Sequence, residues 1–220
     1  MKRIKINIAD HPFFFGGYLV FLISLIIVLS IYSKIESSTL INHYWSAPQD
    51  IFFKYFTYLG DGWSAMLVVL ILSAYRLKYG VYALVSFCST AIITQFLKKV
   101  IYSEVMRPSI EVFGKVQDSQ WHQVEGVELL TGNSFPSGHS TSVFSICCLL
   151  AILSKRKSVG SLLIIIASIT AYSRVYLSQH FFEDIFIGSI IGCLGTLIFV
   201  SKMQDLKWGS WSEFSLIKKT

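Results

Sequence analysis

At 220 residues, with 53% hydrophobic and only 15% charged side chains, the chain has the composition of an integral membrane protein and the length of one domain, 1–220. Its net charge of +6 comes without the basic aromatic surface pattern of a nucleic-acid binder, so no nucleic-acid partner is expected. Cys88, Cys147, Cys148 and Cys193 all fall in apolar runs, where thiols act as small apolar groups and form neither a disulfide framework nor a metal site.

Five runs, 12–33, 79–97, 137–154, 158–173 and 185–201, hold no Asp, Glu, Lys or Arg, and each approaches the roughly 20 residues that cross a bilayer. A sixth run, 62–75, is long enough if it begins near Tyr55 and tolerates Asp61 at the interface. The expected fold is therefore all-α: a six-transmembrane helical bundle with a long outer-face loop and an interfacial helix. The first run follows the basic residues Lys2, Arg3 and Lys5, and no small-residue cleavage site comes after it, so it is expected to be retained. With the N-terminus in the cytoplasm, the inner segments also take Arg76, Lys78, Lys155, Arg156, Lys157, Lys202, Lys207, Lys218 and Lys219, which makes twelve of the 19 basic residues. That bias sets the orientation.

Segment 34–61 mixes Tyr44, Trp45, Phe52, Phe53, Tyr55 and Phe56 with few charges, the pattern of a helix lying in the membrane interface. Pro48, Gln49 and Asp50 mark a helix start, and Gly60, Asp61 and Gly62 a turn. The cytoplasmic connections 76–79 and 155–157 are too short to hold a site, so function belongs to the bundle or to its outer face.

The one long connection, 98–136, begins at Lys98 and Lys99, passes Arg107 and Pro108, and ends in Phe135, Pro136, Ser137, Gly138 and His139. Proline in the first turn of a helix, followed by small residues, presents backbone N–H groups at the positive end of the helix dipole and makes an anion site. Ser137 adds a hydroxyl, Gly138 allows close approach of the backbone, and His139 is a candidate general acid. Standing alone, this tetrapeptide would read as a capping turn, and the two lysines as snorkelling residues at a span end. Trp121, His122, Glu125 and Glu128 in the same connection are candidates for a head-group contact or a soluble lid, and each taken singly reads as structural.

What changes the reading is the stretch from Ser173 to Asp184. His180 and Asp184 are four residues apart, a spacing that shares a helix face, so Asp184 can hold one ring nitrogen of His180 and leave the other bare and nucleophilic. Arg174 brings a cation matched to phosphate oxygens. Ionisable groups at membrane depth call for a purpose, and alternating topology gathers Lys98 or Lys99, Arg107, Ser137 to His139 and Arg174 to His180 at one outer face. No thiol, acidic cluster or glycine-rich nucleotide loop accompanies them, so the natural target is a phosphate handled without metal or cofactor.

With these residues, the chain resembles the type 2 phosphatidic acid phosphatase superfamily of integral-membrane lipid phosphatases. Pro136, Ser137, Gly138 and His139 match the second part of that signature, and Ser173, Arg174, His180 and Asp184 match the third. Four specified residues at fixed spacing arise by chance about once in 10⁵ start positions at average residue usage. The first part departs: the family usually leaves six residues between its lysine and the arginine of Arg-Pro, whereas Lys99 leaves seven and Lys98 eight. A local bulge of the helix or a longer turn would absorb the difference, and Lys98, after an apolar pair, is the favoured match.

The resemblance implies that His180 attacks phosphorus to form a phosphohistidine, with Asp184 holding its tautomer. It implies that His139 protonates the leaving lipid oxygen and then activates water, while Lys98 or Lys99, Arg107, Arg174, Ser137 and the Gly138 amide bind the phosphate oxygens. The expected enzyme is a lipid phosphomonoester or pyrophosphate hydrolase of the cytoplasmic (inner) membrane with its site at the outer face. Its substrate would be of the phosphatidylglycerol phosphate, phosphatidic acid, undecaprenyl pyrophosphate or lipid A class, and no residue chooses among them. Competing readings are a lipid-to-lipid phosphotransferase and a non-catalytic lipid-phosphate binding or transport protein. A soluble vanadium-dependent haloperoxidase shares this type of site, but the apolar spans speak against it.

Overall fold

The structure is a computed structural model that describes residues 8–112, 121–154 and 156–216. Lys2, Arg3, Lys5, Lys115, Lys155, Lys218 and Lys219, part of the orientation argument, lie outside the described residues. Regular structure among the described residues is helical throughout. Helix α1 (Pro12–Ile31) carries its proline in the first turn, where no backbone N–H is needed. Helix α2 (Lys34–His43) starts at a capping box in which Ser33 and Glu36 exchange side-chain and backbone hydrogen bonds. Helix α3 (Ala47–Phe56) also opens on a proline, Pro48. A 3₁₀ turn (Thr57–Gly60) then leads through Asp61 into α4 (Gly62–Tyr75). After α5 (Leu77–Phe96) come the short α6 (Pro108–Glu111), α7 (Gly138–Leu153), α8 (Lys157–Tyr176) and α9 (Phe182–Gln204).

Four of these helices are long and apolar enough to cross a membrane: α1, α5 with its continuation to Ile101, α8 and α9. A fifth crossing exists only if α3 and α4, bent by 53° at their junction, count as one broken span. Helix α7 has 16 residues, about 24 Å at 1.5 Å per residue, against an apolar layer of about 30 Å. It is shorter than a full span and forms the buried centre of the bundle: Phe144, Cys148 and Leu149 are fully buried among α5, α8 and α9. Segment 34–61 forms two helices where the sequence led us to expect one. Its second, α3, exposes Ile51, Phe52 and Tyr55, the aromatic, apolar face expected of an interfacial helix.

Small residues let α9 lie directly on α7. A Cβ placed on Gly188 would stand 2.6 Å from the Ser137 carbonyl oxygen, and one on Gly192 would stand 2.4 Å from that of Thr141, so backbone touches backbone. Ser145 and Thr196 share a hydrogen bond at 2.8 Å across this seam, and Thr94 donates to Thr141 at 3.0 Å across the α5–α7 contact. The four cysteines are free, and Cys147, Cys148 and Cys193 pack as core residues.

The connection into α7 is tied to α2 and α3. Asn42 exchanges hydrogen bonds with the His122 backbone. The His122 ring stacks on Trp45 at 3.8 Å and lies 2.8 Å from Asp50 Oδ2, while Lys54 donates to the Glu125 carbonyl. His122 and the buried Trp121 thus take part in packing this connection against α2 and α3.

Candidate active site

At the end of α5 the backbone widens into one π turn (Leu97–Ile101), closed by the Tyr102 N–H on the Leu97 carbonyl at 2.8 Å. The wider turn takes up part of the long spacing between lysine and arginine, and π bulges are frequent at functional sites. It also separates the two lysines: Lys98 is buried at 8% exposure while Lys99 is exposed.

Arg107 is held by carbonyl oxygens. Its backbone N–H donates to Thr131 O, its Nε to Gly132 O at 2.9 Å and its Nη1 to Gln179 O at 2.7 Å. These bonds fix the guanidinium without neutralising it. Its Nη1 then stands 3.4 Å from Nε2 of His180. Arg174, near the C-terminus of α8, donates through Nη1 to Thr57 Oγ1 at 2.8 Å, and its Nε is buried with no partner among the described residues.

After α8 ends, Ser178 in the left-handed conformation (φ 54°) turns the chain. The Gln179 and His180 N–H groups fold back onto the Arg174 carbonyl. His180 and Asp184 do not share a helix, contrary to the face argument from their spacing: His180 precedes α9 and Asp184 lies in its first turn. They meet across the helix N-terminus instead, with Nδ1 3.0 Å from Asp184 Oδ2. That carboxylate oxygen also accepts from the Phe181 N–H at 3.0 Å and from Ser134 Oγ, so its position is fixed from three directions. A carboxylate can only accept there, which puts the ring proton on Nδ1 and the lone pair on Nε2, facing Arg107. Burial first, and then the cations Arg107, Lys98 and Arg174, push the proton affinity of His180 well below its ordinary value. The imidazole is therefore held neutral.

Ser137 caps α7, its Oγ accepting from the Ser140 N–H at 3.3 Å. Its own N–H donates to the Asp184 carbonyl at 3.0 Å, joining two of the sequence motifs through backbone. Space is open where a Gly138 side chain would stand. His139 follows, with Nε2 2.8 Å from Asp61 Oδ1. A cavity of about 340 Å³, lined by Lys54, Thr57, Asp61, Glu128, His139 and Arg174, opens on one side of this pair. A second, of about 230 Å³ between α4, α5 and α7, shares Asp61 and His139.

Lys98, Arg107 and Arg174, at 8%, 5% and 7% exposure, thus face two carboxylates, Asp61 and Asp184, beside two histidines. Enclosed positive charge in excess is costly and is relieved by an arriving anion. Among the described residues no group of three His, Cys, Asp or Glu is placed to hold a metal ion. Sequence reasoning missed Thr57, Ser134 and Gln179, polar residues with no motif around them. It read Asp61 as a turn residue tolerated at the interface and gave it no part in the site, although a carboxylate between apolar runs is itself a signal.

A model of the PAP2 superfamily matches residues 79–208. Among solved structures, that of Aquifex aeolicus LpxE is similar with a TM-score of 0.64 and 25% identity, over 77% of this chain and 96% of that one. A PAP2 type phosphatidylglycerolphosphate phosphatase from Bacillus subtilis is similar in fold, with a TM-score of 0.62 and 23% identity over 89% of this chain and 98% of that one. No curated protein sequence matches. With its model covering more than half of the residues, and two motifs of its signature joined at one end of the bundle, the chain belongs to the PAP2 superfamily.

Proposed function

We propose that this chain hydrolyses a lipid phosphate, a monoester or a pyrophosphate, through a phosphohistidine at His180 and without metal or cofactor. Nε2 of His180 attacks phosphorus, forming the N–P bond as the bond to the leaving oxygen breaks. His139 gives that oxygen a proton. In the second half, a water that has lost its proton to His139 attacks phosphorus, the N–P bond breaks, and free phosphate leaves. Lys98, Arg107, Arg174, the Ser137 hydroxyl and the Gly138 amide bind the equatorial oxygens, where phosphoryl transfer concentrates charge. Lys99, exposed to the outside of the turn, takes no part. The chain crosses a cytoplasmic membrane six times in this reading, α7 being a short crossing shielded by its neighbours, with the site at the outer face.

The observation that carries the reading is the His180 ring itself. One nitrogen is occupied by Asp184 at 3.0 Å, and the other turns its lone pair toward Nη1, 3.4 Å away, of an arginine that forms no ion pair with a carboxylate among the described residues. A protein that only binds a lipid phosphate needs the cations and has no use for an oriented, neutral imidazole. The test is phosphate release by the purified protein from phosphatidic acid, phosphatidylglycerol phosphate, undecaprenyl pyrophosphate and lipid A, each with a chelator present and no acceptor lipid. Release from at least one, abolished in His180→Ala, is expected. Release by His180→Ala, loss of activity on chelation, or release from none of the four lipids without an acceptor would overturn it.

A further inference from the structure

The turn before α4 carries a feature that the mechanism above leaves unused. Asp61 occupies the N-cap position of α4, where an aspartate ordinarily accepts from the free N–H groups of the first turn. Its side chain makes no such bond; it reaches across to His139, with Oδ1 2.8 Å from Nε2. The backbone is shaped for this reach, since a Cβ on Gly60 would stand 2.8 Å from the Cβ of His139. The same turn holds Arg174 through Thr57. Nδ1 of His139 has no hydrogen-bond partner among the described residues, and the residue lines the cavities on both sides.

We propose that Asp61 is the positioning residue of the acid half of the reaction, holding His139 by Nε2 so that Nδ1 delivers its proton to the leaving oxygen. This deepens the proposed function and rests on it. In the first step the imidazolium gives up its Nδ1 proton as the bond from phosphorus to the leaving oxygen breaks. In the second step the neutral ring takes a proton from the attacking water and returns to its starting state. Asp61 bonds Nε2 throughout and is not itself protonated. The ring needs this support because burial first, and then the cations Arg174 from α8 and Lys98 from the end of α5, disfavour an imidazolium there. The site then contains two Asp–His pairs with opposite tasks: Asp184 exposes a lone pair on His180, and Asp61 keeps a proton on His139.

The test exploits leaving-group chemistry. An alkoxide leaving group needs a proton, whereas p-nitrophenolate departs without one. With the protein in detergent, Asp61→Asn is expected to lower kcat/KM, which reports the first half of the reaction, by about 10²-fold on whichever of the four lipids the parent hydrolyses, the lower end of general-acid contributions. On p-nitrophenyl phosphate it should lower kcat/KM by less than about tenfold, and Asp61→Glu should recover at least tenfold on the lipid. Retained aryl turnover serves as the folding control. Equal losses in kcat/KM on both substrates, or an unchanged kcat/KM on the lipid, would overturn the proposal. His180→Ala, measured beside it, is inactive on both substrates if the phosphohistidine reading holds, so failure of that reading is seen separately.

Discussion

Replacing Asp184 with asparagine removes one charge and almost no volume, from a residue that is fully buried. Oδ2 now accepts from His180 Nδ1, Ser134 Oγ and the Phe181 N–H. An amide oxygen in the place of Oδ2 would accept these bonds without the charge that strengthens them, whereas an amide NH₂ there cannot accept from Ser134 or Phe181 and requires Nδ1 to accept. The second arrangement moves the ring proton to Nε2, the nitrogen that attacks in the proposed mechanism. Losing one charge-assisted hydrogen bond costs about 1.5–3 kcal/mol. The wrong tautomer costs more, since the equivalent aspartate-to-asparagine change in a protease triad lowers kcat about 10⁴-fold. A fall of about 10²–10⁴ in kcat is expected, or about 2.7–5.4 kcal/mol at 1.36 kcal/mol per decade. The assay is phosphate release in mixed micelles from whichever of the four lipids the parent hydrolyses, with thermal unfolding in the same detergent to establish that the variant is folded. A folded Asp184→Asn protein within about threefold of the parent, while His180→Ala is inactive, would refute the claim that Asp184 orients the nucleophile.

The π turn divides the two lysines, so Lys98→Ala should lose about 10²–10³ in kcat, as for removal of a single oxyanion donor. Lys99→Ala should stay within about threefold, and phosphate release by the two variants compares them directly. Burial and three cations hold the proton affinity of His180 low, so the acid limb of kcat/KM against pH should lie below about 6.5, the unperturbed histidine value. Arg107→Ala removes the nearest cation, makes protonation easier and should move that limb to higher pH; a limb that stays or moves down would contradict the assignment. Gly188→Ala puts a methyl 2.6 Å from the Ser137 carbonyl and should destabilise by about 1–3 kcal/mol, as overpacking does. An unchanged thermal midpoint in detergent would count against the close α7–α9 contact.

The site motifs were more legible than the crossings. Pro136 to His139 and Arg174 to Asp184 announce themselves by spacing, and the structure brings them to one end of the bundle. The count of spans was harder to read, because a charge-free run such as 137–154 looks alike whether it meets lipid or, as in α7, other helices. The turn at Gly60 to Gly62 was read from its residues, but the partner of Asp61 was hidden for a related reason: composition places a carboxylate at an interface and says nothing of which ring it will touch 78 positions later. The distinction between Lys98 and Lys99 depended on a single widened turn, which no residue preference encodes. The contact between His180 and Asp184 was anticipated for a geometric reason that does not hold, since a helix N-terminus can bring i and i+4 together as well as a helix face can.

The hydrogen bond from Ser137 N–H to the Asp184 carbonyl and the glycine seam beneath it set the separation of the two histidine-bearing segments by main chain alone. Exposed apolar side chains of the helices, such as Leu19, Leu70 and Ile92, can drift among apolar types without altering that separation. Divergence to 25% identity with preserved architecture is what such a division permits. It also marks the cavity walls, and not the seam, as the place to remodel substrate range in the laboratory.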